Sequence, residues 1–339
     1  MKQILAIIIS SVFITSSCST NIKNKEAKIE IEKGTEIDSS KIKGKVTTNP
    51  VVSHQVPKKL QHQLKPLLNA NSEDSIIGFW VGYFEKDDDS NGYLSENDLY
   101  VDDGYYWRRE NKINISIDNI QDTIVTGHSV VAGNDRPFNG TVKEDSIGTL
   151  FFKVKEPGND KYDGEFTFKI EDSVLVGTWK AYRKINIQKR KYDLRRKNYT
   201  YNPNINLERA KVYIDWNKKI GTSNEPDPDD EFGGWVSNEF SSATNKIYEI
   251  NASNTVLNKA DVENLKKGDL LIIRNTIYAR HGYSFKKRPL RVFFDAQSWY
   301  IPVHTDIRHE FTEIEKNNIQ LLLKYEKNAE EYYDYFGRG

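Results

Sequence analysis

Between Ile76 and Arg183, apolar and polar residues alternate in short runs separated by turn residues. The runs are Ile76–Glu85, Tyr105–Ile120, Thr123–Ala132, Pro137–Lys143, Thr149–Lys155, Glu165–Ile170 and Val174–Arg183. Ile113-Asn114-Ile115-Ser116-Ile117 and Phe166-Thr167-Phe168-Lys169-Ile170 repeat every second residue, which puts the apolar side chains on one face of a strand. Asp103-Gly104, Gly133-Asn134-Asp135, Pro157-Gly158-Asn159-Asp160 and Asp163-Gly164 supply the breaks. No helical period intervenes. The pattern predicts an antiparallel meander closed into a barrel or sandwich, with Ile185–Tyr201 adding a final strand.

From Asn258 the period changes. Asn258 is placed to cap a short helix through Lys266, with Gly268 as its stop. Asp269 is placed to cap a second helix, Leu270 to His281, ended by Gly282 in the left-handed region. Leu270, Ile273, Ile277 and His281 share one stripe, which Arg274 joins; Leu271, Asn275 and Tyr278 form the next. Thr312-Glu313-Ile314-Glu315 reads as a capping box opening a last helix to about Tyr335. The acidic, proline-containing stretch from Glu225 to Glu231 reads as a solvated connector. The expected fold class is α+β: an antiparallel β domain over residues 73–203, a connector over 204–257 and a small all-helical module over 258–339.

The first residues have the parts of a secretory signal: a short positive start, an apolar stretch from Ile4 to Ile14, then Thr15-Ser16-Ser17 and Cys18. The apolar stretch is too short for a spanning helix. Cys18, the sole cysteine, resembles the modified residue of a bacterial lipobox, so residues 1–17 are expected to be cleaved and Cys18 lipidated. An ordinary cleaved signal with an incidental cysteine is the alternative. Residues 18–72 contain no aromatic residue and read as a disordered tether. About 50 flexible residues span roughly 40 Å root-mean-square. The implied location is the bacterial cell envelope, at the outer membrane, on its periplasmic or surface face.

Charge narrows the classes of partner. The 339 residues carry 49 Lys and Arg against 49 Asp and Glu, so the basic excess expected of a nucleic-acid binder is missing. One cysteine excludes a disulfide framework within the chain. In the β region, Gly78-Phe79-Trp80 is similar to the G-x-W signature of lipocalin-like barrels, where the tryptophan plugs one end; a tryptophan packed in a β core reads the same way. From Asp87 to Asp98, oxygen ligands fall at loop positions 1, 3, 5 and 12 (Asp87, Asp89, Asn91, Asp98) with Gly92 at position 6. That spacing suits calcium, and it also suits a solvated acidic hairpin.

The helical region carries a sharper resemblance. Tyr278-Ala279-Arg280-His281-Gly282, followed by Leu290-Arg291-Val292-Phe293-Phe294, Trp299-Tyr300-Ile301-Pro302 and Ile314-Glu315-Lys316-Asn317-Asn318-Ile319, resembles the YARHG domain over roughly residues 260–326. The resemblance implies an extracellular bacterial module without an established activity. Two readings of its residues stand side by side. In the structural one, Arg280 and His281 complement a helix end, Gly282 reverses the chain, aromatic side chains fill the core, and Arg274 pairs with Glu315. Asn275 and Tyr278 belong to the same structural motif. In the binding one, Arg280, His281, Tyr283, Trp299 and Tyr300 line a groove for a partner.

Catalytic signatures are missing: there is no His-Glu-x-x-His, no G-x-S-x-G elbow and no phosphate loop. A triad of His281, Asp295 and a serine can be drawn but is not required by spacing. The leading expectation is a lipid-anchored, non-catalytic binding or adaptor protein for a protein or cell-wall component. The alternative is a barrel that carries a small apolar ligand, with the helical module as docking appendage. A hydrolase using His281 comes last.

Overall fold

The computed structural model describes residues 76–87, 100–101, 105–106, 110–209, 212–226 and 234–329. Eight antiparallel strands close a barrel: β1 (Gly78–Lys86), β4 (Asn111–Gln121), β5 (Ile124–Val131), β6 (Asn134–Glu144), β7 (Leu150–Lys155), β8 (Gly164–Glu171), β9 (Val174–Ala181) and β10 (Lys189–Lys197). Each pairs with the next, and β1 pairs with both β4 and β10, so no edge strand is left open. A two-residue pair, β2 (Tyr100–Val101) and β3 (Tyr105–Tyr106), lies between β1 and β4 in the chain.

The expected alternation is visible where the sequence was most regular. In β7, Leu150, Phe152 and Val154 are buried while Phe151, Lys153 and Lys155 are exposed. Inward residues from every strand fill the barrel, among them Trp80, Ile115, Phe152, Phe168, Trp179 and Leu194. Trp80 gives its indole N–H to the Ile76 carbonyl (3.0 Å) and is 2% exposed, at the end where β1 enters. Tight turns set the register. Ala132-Gly133 and Asp172-Ser173 both have positive φ, the geometry of two-residue hairpins that follow strand twist. Ala132-Gly133 therefore does the turning expected of Gly133-Asn134-Asp135, and β6 begins at Asn134 instead of Pro137.

The stretch expected to be a connector is structured over most of its length. It holds a hairpin, β11 (Ile214–Pro226) with β12 (Gly234–Ser242), and a short 3-10 turn, Asn245–Tyr248. Leu207, Tyr213, Ala243, Ile247, Ala252 and Leu257 belong to the same buried cluster as the helices. These apolar residues are spaced singly and form no periodic run, so only burial against the helices reveals their role.

Four helices follow: α1 (Lys259–Val262), α2 (Lys267–Arg280), α3 (Arg288–Asp295) and α4 (Glu313–Asn328). Asn258 and Thr312 cap α1 and α4 with reciprocal capping boxes, as their spacing predicts. Gly268 is not a helix stop: it lies in the first turn of α2, where a Cβ would fall 2.1 Å from the Ser242 carbonyl oxygen. Glycine lets α2 approach the end of β12. Asp269 is accordingly not the cap of α2; its carboxylate turns to the backbone N–H groups of Lys266 and Thr244. No described helix is long and apolar enough to cross a membrane.

The helical module lies on the outward face of β1 and β4. Tyr83 donates to the Asp295 carbonyl (2.9 Å), the Lys112 N–H to the Asp295 carboxylate (2.8 Å), and Lys112 Nζ to the carbonyls of Gln297 and Tyr300 (2.8 and 3.0 Å). Val81 packs with Ile301 and Val303. Alternation alone would leave this face of β4 wet, yet Lys112, Asn114 and Ser116 are all buried.

Candidate functional site

The motif at the end of α2 is built by backbone geometry. Gly282 has φ +67°; its N–H bonds the Ala279 carbonyl (2.9 Å) and the Tyr283 N–H bonds the Tyr278 carbonyl (3.0 Å). That pair of bonds is a Schellman motif, which satisfies carbonyls that the helix leaves open. The reversal aims His281 at α4. His281 Nε2 lies 2.8 Å from Glu315 Oε2, with the two side chains 5% and 0% exposed. Glu315 also accepts from the Tyr201 hydroxyl (2.9 Å) and the Thr312 N–H (3.0 Å). Burial pushes the Glu315 carboxyl up, but the bonds from His281 and Thr312 outweigh it and hold it below the usual range. The His281 ring stacks on Tyr201 at 4.2 Å and meets the edge of Phe311 at 5.3 Å.

Arg280 is buried, not exposed. Nε and Nη2 donate to the Ile205 carbonyl (3.0 and 2.7 Å), and Nη1 donates to Ser253 Oγ (3.0 Å). Burial pushes its guanidinium down to about 10. The expected Arg274–Glu315 pair is not formed. Arg274 grips Glu326 with Nε and Nη2 (2.8 and 3.1 Å), because mid-α2 faces the C-terminal part of α4, while Glu315 in the first turn of α4 meets His281 at the end of α2. Asn275 donates to the Leu271 carbonyl within its own helix, and Tyr300 is buried, giving its hydroxyl to the Tyr283 carbonyl (2.7 Å).

The five residues expected to share one groove are thus divided. His281 and Tyr300 are interior. Arg280 and Trp299 line a cleft of about 490 Å³ beside Tyr199 and Tyr201. The Trp299 indole N–H is buried there without a partner among the described residues. Tyr283 lines a different groove of about 560 Å³, with Arg274, Asn275, Tyr278 and Phe311. Tyr278 stacks on Phe311 at 5.2 Å and meets Tyr283 edge-on at 6.0 Å, and Lys287 and Arg308 border this aromatic floor. The drawn triad is not assembled: His281 is engaged with Glu315, and Asp295 faces Lys112.

A further cleft, absent from the sequence reading, opens at the barrel mouth. Glu156 lies at its wall, 6% exposed, accepting from Ser129 Oγ (2.9 Å), the Gly164 N–H (2.6 Å) and Trp179 Nε1 (3.2 Å). Burial pushes its carboxyl up against these lowering bonds. Asp163 beside it accepts from Arg136 Nε and Nη2 (2.8 and 2.7 Å). A signal for Glu156 did exist: it continues the inward period of Leu150, Phe152 and Val154.

Cys18 and the loop residues Asp89, Asn91 and Asp98 lie outside the described residues; Asp87 is described at the end of β1. Among the described residues, no group of three or more His, Cys, Asp or Glu side chains is placed to hold a metal ion.

A family model described as the YARHG domain matches residues 245–327. The match begins at the 3-10 turn, ahead of the sequence expectation of 258, and so includes part of the former connector. No curated protein and no solved structure matches the chain.

Proposed function

We propose that the chain is a non-catalytic binding protein of the bacterial cell envelope. Lipid on Cys18 and the 18–72 tether hold it at the membrane, and the groove of the YARHG module engages a protein or cell-wall partner. The observation that carries this reading is the groove floored by Tyr278, Tyr283 and Phe311 and bordered by Lys287 and Arg308. Half-buried aromatic rings beside cationic side chains are the usual anchors of a recognition surface. The burial of His281 and its engagement with Glu315 argue against its use as a catalytic base. The aromatic filling of the barrel and the charged mouth argue against a hollow apolar carrier.

Two measurements test it. Cys18→Ser should move the protein from the membrane to the soluble fraction; continued incorporation of labelled fatty acid in that variant would refute the anchor. Lys287→Glu with Arg308→Glu should leave the melting curve in place and abolish crosslinking of envelope components to the groove. An unchanged crosslinking pattern would refute the groove as the binding surface.

A further inference from the structure

Charge is spread unevenly around the outside of the barrel. β7 to β10 turn eight Lys and Arg side chains outward against three carboxylates, in a chain whose charges balance. The helical module rests on β1 and β4, and β7 and β8 lie across the barrel from them, so this face is open to solvent. Two of its carboxylates are already shared among lysines. Glu165 meets Lys153 and Lys155 (3.0 and 3.6 Å), and Glu171 meets Lys169. Lys180, Lys189 and Lys191 form no ion pair among the described residues. Lys180 stands directly opposite Lys189 in the β9–β10 register. Like charges so placed destabilise a sheet, and a bound anion relieves the repulsion.

The register also sets Lys153, Thr167, Thr178 and Lys191 in one row across four strands, roughly 14 Å long. Both threonines are exposed. Two aromatic rings flank the row. Phe151, 44% exposed, precedes Lys153 on the outward side of β7. Tyr182, 45% exposed, continues the outward period of β9, and its hydroxyl is fixed on the Glu156 carbonyl (3.2 Å).

The shape selects among anions. A closed barrel leaves no strand edge for an acidic peptide to extend. Its convex face meets a flat bilayer along a line only. A linear chain of sugars can follow the curve, lay its C–H faces on the rings and pair its hydroxyls with the threonines.

We propose that the outward face of β7 to β10 binds a linear anionic polysaccharide. Its acidic groups sit on Lys153, Lys180, Lys189 and Lys191, and its sugar faces sit on Phe151 and Tyr182. The face is separate from the groove at Tyr283, and either can fail without the other.

Calorimetric titration of the full chain in detergent with polygalacturonate tests the face, with dextran as the neutral polymer and polyglutamate as the acidic peptide. The expected result is saturable binding of polygalacturonate that weakens steeply as salt rises, and none of dextran. Lys180→Glu with Lys191→Glu should weaken binding at least about tenfold and leave the melting curve in place, because both side chains are exposed and unpaired. Phe151→Ala should weaken polygalacturonate alone. Lys287→Glu with Arg308→Glu should bind polygalacturonate as the parent does. Absence of saturable heat, affinity untouched by the double lysine variant, or polyglutamate bound as tightly would each overturn the proposal. So would loss of binding in the groove variant, or phosphatidylglycerol bicelles bound through these lysines in place of polygalacturonate.

Discussion

The barrel and the helical module stabilise themselves by different means. The barrel buries a continuous apolar interior and holds the carboxyl groups of Glu156 and Asp163 at one mouth by hydrogen bonds. The helical module threads ionisable groups through its interior: His281 on Glu315, Arg280 on Ile205 and Ser253, and Arg274 on Glu326. A strand meander gains specificity from register, since a slip of one residue turns every side chain to the wrong face. A few short helices lack that device. Buried directional pairs supply it instead, because leaving one partner unpaired is costly. The difference teaches that Arg280, His281 and Gly282 of the motif hold the module together.

The largest effect should come from removing the shared acceptor. Glu315→Ala leaves His281, Tyr201 and Thr312 without their buried partner and should cost about 3–5 kcal/mol in denaturant unfolding. A loss below about 1 kcal/mol would mean that the buried pair does not organise the module. Arg280→Ala comes next, at about 2–4 kcal/mol, because it strands the Ile205 carbonyl and opens a cavity. An unchanged melting curve would return Arg280 to a surface role. Gly282→Ala should cost about 1–2 kcal/mol: a Cβ there meets both the left-handed backbone and Val303 at 3.1 Å.

The seam between the two parts responds in the opposite direction. Asn114 is fully buried on the outward face of β4 beside Val81, with neither amide atom partnered among the described residues. Asn114→Leu should therefore stabilise the protein by about 1 kcal/mol, read as a higher denaturant midpoint. A lower midpoint would show that the amide is satisfied.

Asp295 makes the seam sensitive to pH. Burial pushes its carboxyl up to about 7, against the lowering contacts of Lys112 and Arg291. A folded-state value above the unfolded one, about 4, means that the fold favours the protonated acid. That contribution is complete below pH 4 and fades as the pH rises through 7. Asp295→Asn keeps the acceptor for the Lys112 N–H and should flatten the loss of stability between about pH 4 and 7. Parallel stability profiles for the variant and the parent would refute the assignment.

The sequence by itself determined a great deal here. Period-two alternation in Phe166–Ile170 and Ile113–Ile117 specifies strands with one apolar face whatever their partners, because side-chain direction follows from local backbone geometry. Asn258, Thr312 and Gly282 mark helix ends through bonds that reach at most a few residues along the chain. Contacts distant in sequence were decided by the tertiary structure alone. Whether Glu315 meets Arg274 or His281 depends on how α2 crosses α4, and no spacing encodes that. Gly268 reads as a stop until β12 is seen lying against it. Lys112 and Asn114 read as wet until the helical module covers them, because burial belongs to the surface that another element supplies and not to the strand that carries the residue.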